Sequence, residues 1–352
     1  MEVARTQGRK DARSVLAPFR LCAVAGSLLA APLPAQAPSW APPAAPPAAW
    51  RGLIGEYGPD SVTRVMILER GGKLVARFDS AQEVTLDEVS KDRWRGRGPK
   101  APREFRFQRN AGAAVTAITT GTSTWPRRAL GPEDGAVFRI TPVRPIAQLR
   151  REALQASPPI EPGIFHAAEL MELVRLDPTI KLDIRYATSR NFLGTPIYPE
   201  ARAFLQRPAA IALVRAHRML APQGYGLLIH DGYRPWFVTR MFWDATPAAQ
   251  REFVADPASG SRHNRGAAVD LTLYELRTGL PVEMPGVYDE FSRRSYPDYP
   301  GGTTRQRWHR DLLRRTMEVQ GFTVFGTEWW HFDHQDWKRY RIGNTPFEML
   351  FR

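Results

Sequence analysis

The chain has 352 residues, 43% of them apolar and 24% charged, which is enough for two domains of ordinary size with a sizeable core. Its formal net charge is +13, but the arginines are interleaved with Asp and Glu and no compact basic block occurs, which argues against a nucleic-acid partner. A single cysteine, Cys22, excludes a disulfide framework and a cysteine-based zinc site, so any metal must be held by His and carboxylates.

The chain opens with Arg5, Arg9, Lys10, Arg13 and Arg20, then the short apolar run Leu21-Cys-Ala-Val-Ala-Gly-Ser-Leu-Leu-Ala-Ala, then Ala35-Gln-Ala37. Basic, apolar and small residues in that order read as a secretory signal peptide over 1–37. Its alternative is an uncleaved anchor, although the run is short for a membrane span. Export to the periplasm or the extracellular space follows, with no stable membrane span after cleavage. Residues 38–50 are rich in Pro and Ala and read as an extended linker.

From 51 to 145 the signals are strand-like. Val65–Leu68 and Lys73–Phe78 flank Gly71-Gly72, a hairpin pattern. Glu104-Phe-Arg-Phe-Gln alternates with period two and meets Asn110-Ala-Gly112, a second hairpin. This stretch has no histidine and is expected to form a small β-rich accessory domain, as a sheet or open barrel. Residues 146–166, with Pro158-Pro-Ile-Glu-Pro162, read as a linker.

The remainder, 167–352, mixes helices and strands, so the fold class expected is α+β, with an antiparallel sheet flanked by helices. Helices are predicted over Arg207–Leu220, Trp236–Ala245 and Arg307–Gln320. Strands are predicted over Gly226–Asp231, Val269–Tyr274 and Thr323–His334.

Seven histidines occur, and a lone histidine is more often structural than a ligand. His263 and His331 stand apart. Ser261-Arg-His-Asn-Arg-Gly-Ala-Ala-Val-Asp270 carries a His in a Gly-containing loop that runs into an apolar strand bearing an Asp. A buried carboxylate of that kind needs a partner. Glu328-Trp-Trp-His331 brings a second His with a Glu nearby. His263, Asp270 and His331 therefore make a sensible three-ligand zinc set that leaves a position for water. Spacing does not fix the geometry. Glu328 and His331 are three apart, and in a regular strand they would point to opposite faces, so the strand must bend or reach the metal from its end.

Ser261-x-His263-x-x-Gly266-x-Ala268-x-Asp270, followed by Glu328-x-Trp330-His331, resembles the signature of the D-alanyl-D-alanine dipeptidases. The vancomycin-resistance dipeptidases are familiar members, and the wider fold group includes D-Ala-D-Ala carboxypeptidases and the Hedgehog signalling domain. Asp183-Ile-Arg-Tyr-Ala-Thr-Ser-Arg-Asn-Phe192, Asp231-Gly-Tyr-Arg-Pro235 and Leu271-Thr-Leu-Tyr274 extend the likeness over about 176–333. The resemblance implies one zinc ion per chain on His263, Asp270 and His331. It implies Glu328 as the general base, which takes a proton from the attacking water and passes it to the leaving amine. Arg234 would stabilise the oxyanion; its alternative is an ion pair with nearby Asp231, which would also hold it in place. Ser261 and Asp231 would contact substrate, Tyr186 would line the pocket, and Asp289, in Tyr288-Asp-Glu-Phe291, would recognise the free amino terminus.

The function expected is zinc-dependent hydrolysis of D-Ala-D-Ala or a related D,D-dipeptide in peptidoglycan metabolism. A D,D- or L,D-carboxypeptidase acting on stem peptides is the alternative among enzymes, and Asp289 discriminates between the two. A non-catalytic zinc-containing binding domain is the alternative of another class. The partners expected are a small dipeptide substrate and, from the surplus positive charge, an anionic cell-wall polymer.

Overall fold

A computed structural model describes residues 41–59, 62–98, 104–131 and 137–350. The expected signal peptide at 1–37 and residues 38–40 of the expected linker lie outside the described residues. Among the described residues no helix is long and apolar enough to cross a membrane.

After one helical turn, α1 (Ala48–Arg51), come eight strands: β1 (Gly55–Tyr57), β2 (Val65–Arg70), β3 (Lys73–Phe78), β4 (Glu83–Ser90), β5 (Arg93–Gly96), β6 (Phe105–Arg109), β7 (Val115–Thr120) and β8 (Ser123–Pro126). Each pairs antiparallel with its neighbour in sequence. Gly71-Gly72 turns β2 into β3 with Arg70 opposite Lys73, the register a two-residue hairpin requires. Tyr57 bridges Arg127, just past β8, and the Gly58 N–H donates to the Pro126 carbonyl at 2.9 Å. The last strand thus returns to the first and the meander closes. Phe105 and Phe107 point inward and Arg106 and Gln108 outward. Tyr57, Trp94 and Ile118 complete a core of its own. Strands β4 and β5 lie outside the sequence expectation. The outward acids Glu83, Asp87 and Glu88 obscure the inward Val84 and Leu86.

Residues 146–155, expected within a linker, instead form α2 (Ile146–Gln155). Leu149 and Ala153 are buried in the larger of the two cores, so this segment packs as part of the fold. Its apolar stripe is short and flanked by Arg150 and Arg151, so it carries little periodic signal.

The rest contains β9 (Leu170–Glu172), α3 (Leu173–Leu176), β10 (Lys181–Leu182), β11 (Phe204–Gln206), α4 (Arg207–Leu220), β12 (Tyr225–Asp231), α5 (Trp236–Ala245), β13 (Ala268–Glu275), α6 (Thr304–Val319), β14 (Phe322–Phe325) and β15 (Glu328–His334). The main sheet has the order β10-β12-β13-β15-β14, and β9 pairs with β11 separately. The fold class is α+β. The sheet is not wholly antiparallel: β10 pairs parallel with β12. These two strands are joined through α4, and a parallel pair needs such a crossover.

Helix α4 buries Ala209, Ala210, Ala212 and Ala216, small residues that let it approach β12 and α6 closely, with Leu213 beside them. Helix α6 begins earlier than expected because Thr303 and Gln306 form a reciprocal capping box. Leu312, Leu313 and Met317 anchor it in the core. The segment predicted as one last strand is the hairpin β14–β15.

Candidate active site

Strand β13 is buried along almost its whole length, and Asp270 lies on it opposite His331 of β15. His263 reaches the same point from a single 3-10 turn, His263–Arg265, which ends at Gly266. Gly266 has φ +65°, and a Cβ there would meet Leu170 Cδ2 at 2.5 Å, so both backbone and space demand glycine. The loop thus turns into β13 where the sequence places its glycine.

Asp270 Oδ1 lies 3.0 Å from His331 Nδ1 and 3.2 Å from His263 Nε2, and the two ring nitrogens are 3.0 Å apart. All three residues are buried. Three lone-pair atoms this close suit a shared cation, because tetrahedral ligands at zinc bond lengths lie about 3.3 Å apart. The opposite ring nitrogens fix the tautomers. His263 Nδ1 donates to the Gly232 carbonyl at 2.8 Å, and His331 Nε2 donates to Asp333 Oδ1 at 2.9 Å. Each ring therefore turns its other nitrogen inward, where it presents a lone pair once unprotonated. Burial alone would lower the His331 imidazole, but its hydrogen bonds to Asp270 and Asp333 outweigh this and hold it up at about 10. A cation must displace that proton.

Asp333 was not anticipated, although its position two residues after His331 on one strand face was a usable signal. Its other oxygen meets Arg262 Nε at 3.1 Å. Asp333→Asn is expected to weaken zinc binding by about tenfold, measured by competition with a chromogenic chelator.

Glu328 and His331 share the site because β15 is irregular. Val324 pairs with Phe332 but Phe325 pairs with Glu328, so the register shifts between them. The extra residues on β15 bring Glu328 Oε2 to 3.7 Å from His331 Nδ1. Burial pushes the Glu328 carboxyl up to about 7, with His331 opposing the shift. A second bulge, at His230 in β12, sets Asp231 opposite Asp270 and starts the turn to Arg234.

Asp231, expected to contact substrate, does not line the cavity around the cluster. It accepts instead from Arg234 Nε at 2.9 Å, Tyr198 Oη at 2.9 Å and the Gly232 N–H at 2.9 Å. Its effect is to hold the guanidinium, which sits above the Phe242 ring at 4.9 Å and does face the cavity. Burial would lower the Arg234 pKa, but the charge of Asp231 outweighs it and keeps the group cationic.

Asp289 lines the same cavity and accepts from Tyr186 Oη at 3.1 and 2.9 Å. Burial pushes its carboxyl well above the usual range and the charge of Asp270 adds to this, so the cavity alone favours the protonated acid and a cation arriving beside it favours the carboxylate. Ser261 also lines the cavity, and its Oγ accepts from the His263 N–H at 3.2 Å. Tyr288, not anticipated, donates to Asp270 Oδ2 at 3.0 Å. Trp330 packs against Tyr288, ring centroids 5.5 Å apart, and Trp329 against Trp330. The cavity is about 360 Å³, with Phe192, Phe253, Phe291 and Phe325 among its apolar walls.

A family profile described as D-ala-D-ala dipeptidase matches residues 166–346, about half of the chain. The D-alanyl-D-alanine dipeptidase of Escherichia coli (strain K12) is 35% identical over 165 residues, covering 47% of this chain and 84% of that protein. That of Enterococcus faecium is 36% identical over 175 residues, covering 45% of this chain and 87% of the relative. That of Enterococcus faecalis (strain ATCC 700802 / V583) is 36% identical over 171 residues, covering 44% and 85%. The matched stretch contains every residue of the His263–Asp270–His331 cluster, together with Arg234, Asp289 and Glu328. The chain therefore belongs to the D-Ala-D-Ala dipeptidase family, a family of metallopeptidases, and is an enzyme.

Proposed function

We propose that this enzyme hydrolyses free D-alanyl-D-alanine, or a closely related D,D-dipeptide, using one zinc ion held by His263, Asp270 and His331. The observation that carries this reading is one cavity lined by the three convergent ligands, the half-buried base candidate Glu328 and the buried carboxyl of Asp289. A zinc ion held by these residues would supply Lewis acidity, to acidify water and polarise a carbonyl.

The side chains supply the rest. Glu328, held near neutrality by burial, takes a proton from the attacking water and returns it to the leaving amine. Arg234, locked by Asp231, offers a fixed cation to the oxyanion. Asp289 receives the substrate ammonium, which gives a buried carboxyl its counter-charge. Ser261, at the mouth of the His263 turn, orients the substrate backbone.

The test is D-alanine release by purified residues 38–352, with and without added zinc, with N-acylated D-Ala-D-Ala alongside. Cleavage of the free dipeptide alone is expected. Cleavage of the acylated substrate would move the enzyme to the carboxypeptidases, and zinc binding without cleavage of either would favour a binding domain. Asp289→Asn keeps the shape but removes the charge, and is expected to lower kcat/KM for the free dipeptide by about 10–100-fold.

The basic and apolar start at 1–37 supports export, and with it recovery of D-alanine from wall turnover. Finding the unprocessed chain in the cytoplasm would overturn that part.

A further inference from the structure

The segment between β13 and α6, from Leu276 to Thr303, carries two residues of the site, Tyr288 and Asp289. It contains almost no regular structure, only the short turn Arg293–Ser295 and one bridge from Pro281 to Tyr274. Asp289 itself has φ +59°, a left-handed conformation uncommon outside glycine, although Asp adopts it more readily than most. A long irregular segment cannot place a carboxyl reliably unless it is tied down at both ends.

Its near side is tied to the site through Tyr288 and Asp270. Its far side is tied to the β-meander. Tyr299 Oη donates to Glu56 Oε1 on β1 at 2.9 Å, and both residues are buried. Glu56 also accepts from Thr63 and from Arg128 Nη1, so it is itself fixed. On β2, buried Glu69 takes the Thr304 N–H at 2.7 Å, and its own N–H donates to the Gly302 carbonyl at 3.1 Å. Arg307 closes the arrangement with a bond to the Glu69 carbonyl at 2.7 Å. Midway, Glu290 is buried against Arg294 at 2.6 Å, and a Cβ on Gly131, past β8, would meet Glu290 Oε1 at 2.5 Å.

We propose that the eight-stranded meander is a positioning element for substrate recognition, with Glu56 and Tyr299 holding the segment that presents Asp289 to the cavity. The meander lies outside the family match, so this assigns it a part in the reaction; the inference rests on the proposed role of Asp289. Tyr299 and Glu56 are positioning residues that act through Asp289 and touch no reacting atom.

Tyr299→Phe tests this in the full chain. It removes one hydroxyl and leaves Glu56 with Thr63 and Arg128. Loss of a bond to a charged acceptor is expected to raise KM for D-Ala-D-Ala by about tenfold, with kcat within about twofold. In an Asp289→Asn background the same change is expected to add nothing, because both act on one contact. A purely structural role would instead give additive effects, or lower kcat and thermal stability with KM unchanged. Either result overturns the proposal.

Hydrogen exchange across residues 287–299 supplies a readout that needs no turnover. It is expected to quicken by about tenfold in Tyr299→Phe. Unchanged exchange overturns the proposal. An inactive wild-type chain whose variant still exchanges faster would fault the proposed substrate and not the clamp.

Discussion

Glu328→Gln is expected to bind zinc stoichiometrically and to lower kcat for D-Ala-D-Ala by about 10²–10⁴-fold, the range for removal of a positioned general base. Glutamine fills the same volume beside His331 and adds no buried charge. The three ligand atoms, 3.0–3.2 Å apart, do not include Glu328, so the metal has no reason to leave. What is lost is a group that accepts a proton. KM is expected to change little, because the residue holds no part of the ground-state substrate in this scheme. Metal content by elemental analysis, together with kcat, decides the matter. A variant that keeps full activity would remove Glu328 from the mechanism, and one that loses zinc would recast it as a ligand.

The residue types of this site were legible in the sequence and their geometry was not. With cysteine excluded, a His loop running into an apolar strand with a buried Asp already pointed to metal chemistry, and the structure brings His263, Asp270 and His331 together. The distance of three residues between Glu328 and His331 conflicted with strand geometry. The conflict is resolved by a register shift opposite Val324 and Phe325, which no local pattern announces. Asp333 was readable from period two along β15. Tyr288 and the Gly232 carbonyl were not, since each reaches the cluster from another segment through tertiary folding.

Asp231 and Arg234 share the Asp231-Gly-Tyr-Arg-Pro235 motif, but only Arg234 of the two lines the cavity. The i,i+3 pair with Arg234 shows why charged neighbours in a motif divide the work between contact and support. Among the elements, long apolar strands and well-capped helices were readable. Helix α2, strands β4 and β5 and the parallel edge strand β10 were hidden, because short elements with charged outer faces carry little periodic signal.

His263→Ala is expected to abolish both zinc retention and D-alanine release, the largest loss of any single change at this site. It leaves Asp270 and His331 alone, and two ligands fall short of the three that a catalytic zinc site uses. It also strips the Gly232 carbonyl of its donor, a buried acceptor whose loss costs about 1–3 kcal/mol. The readout apart from activity is thermal. Zinc at about 100 times its Kd stabilises the wild-type fold by about 2.7 kcal/mol, and the Tm of the variant is expected not to respond. The wild-type response carries its own check through pH. The proton that Asp270 and Asp333 hold on His331, at about 10, must leave as the metal binds. Lower pH favours that proton, so the zinc-induced rise in Tm is expected to shrink between about pH 8 and about pH 6. A zinc response that is flat across that range would mean the cation sits somewhere other than against His331 Nδ1. A variant that retains zinc and its Tm shift would take His263 out of the ligand set.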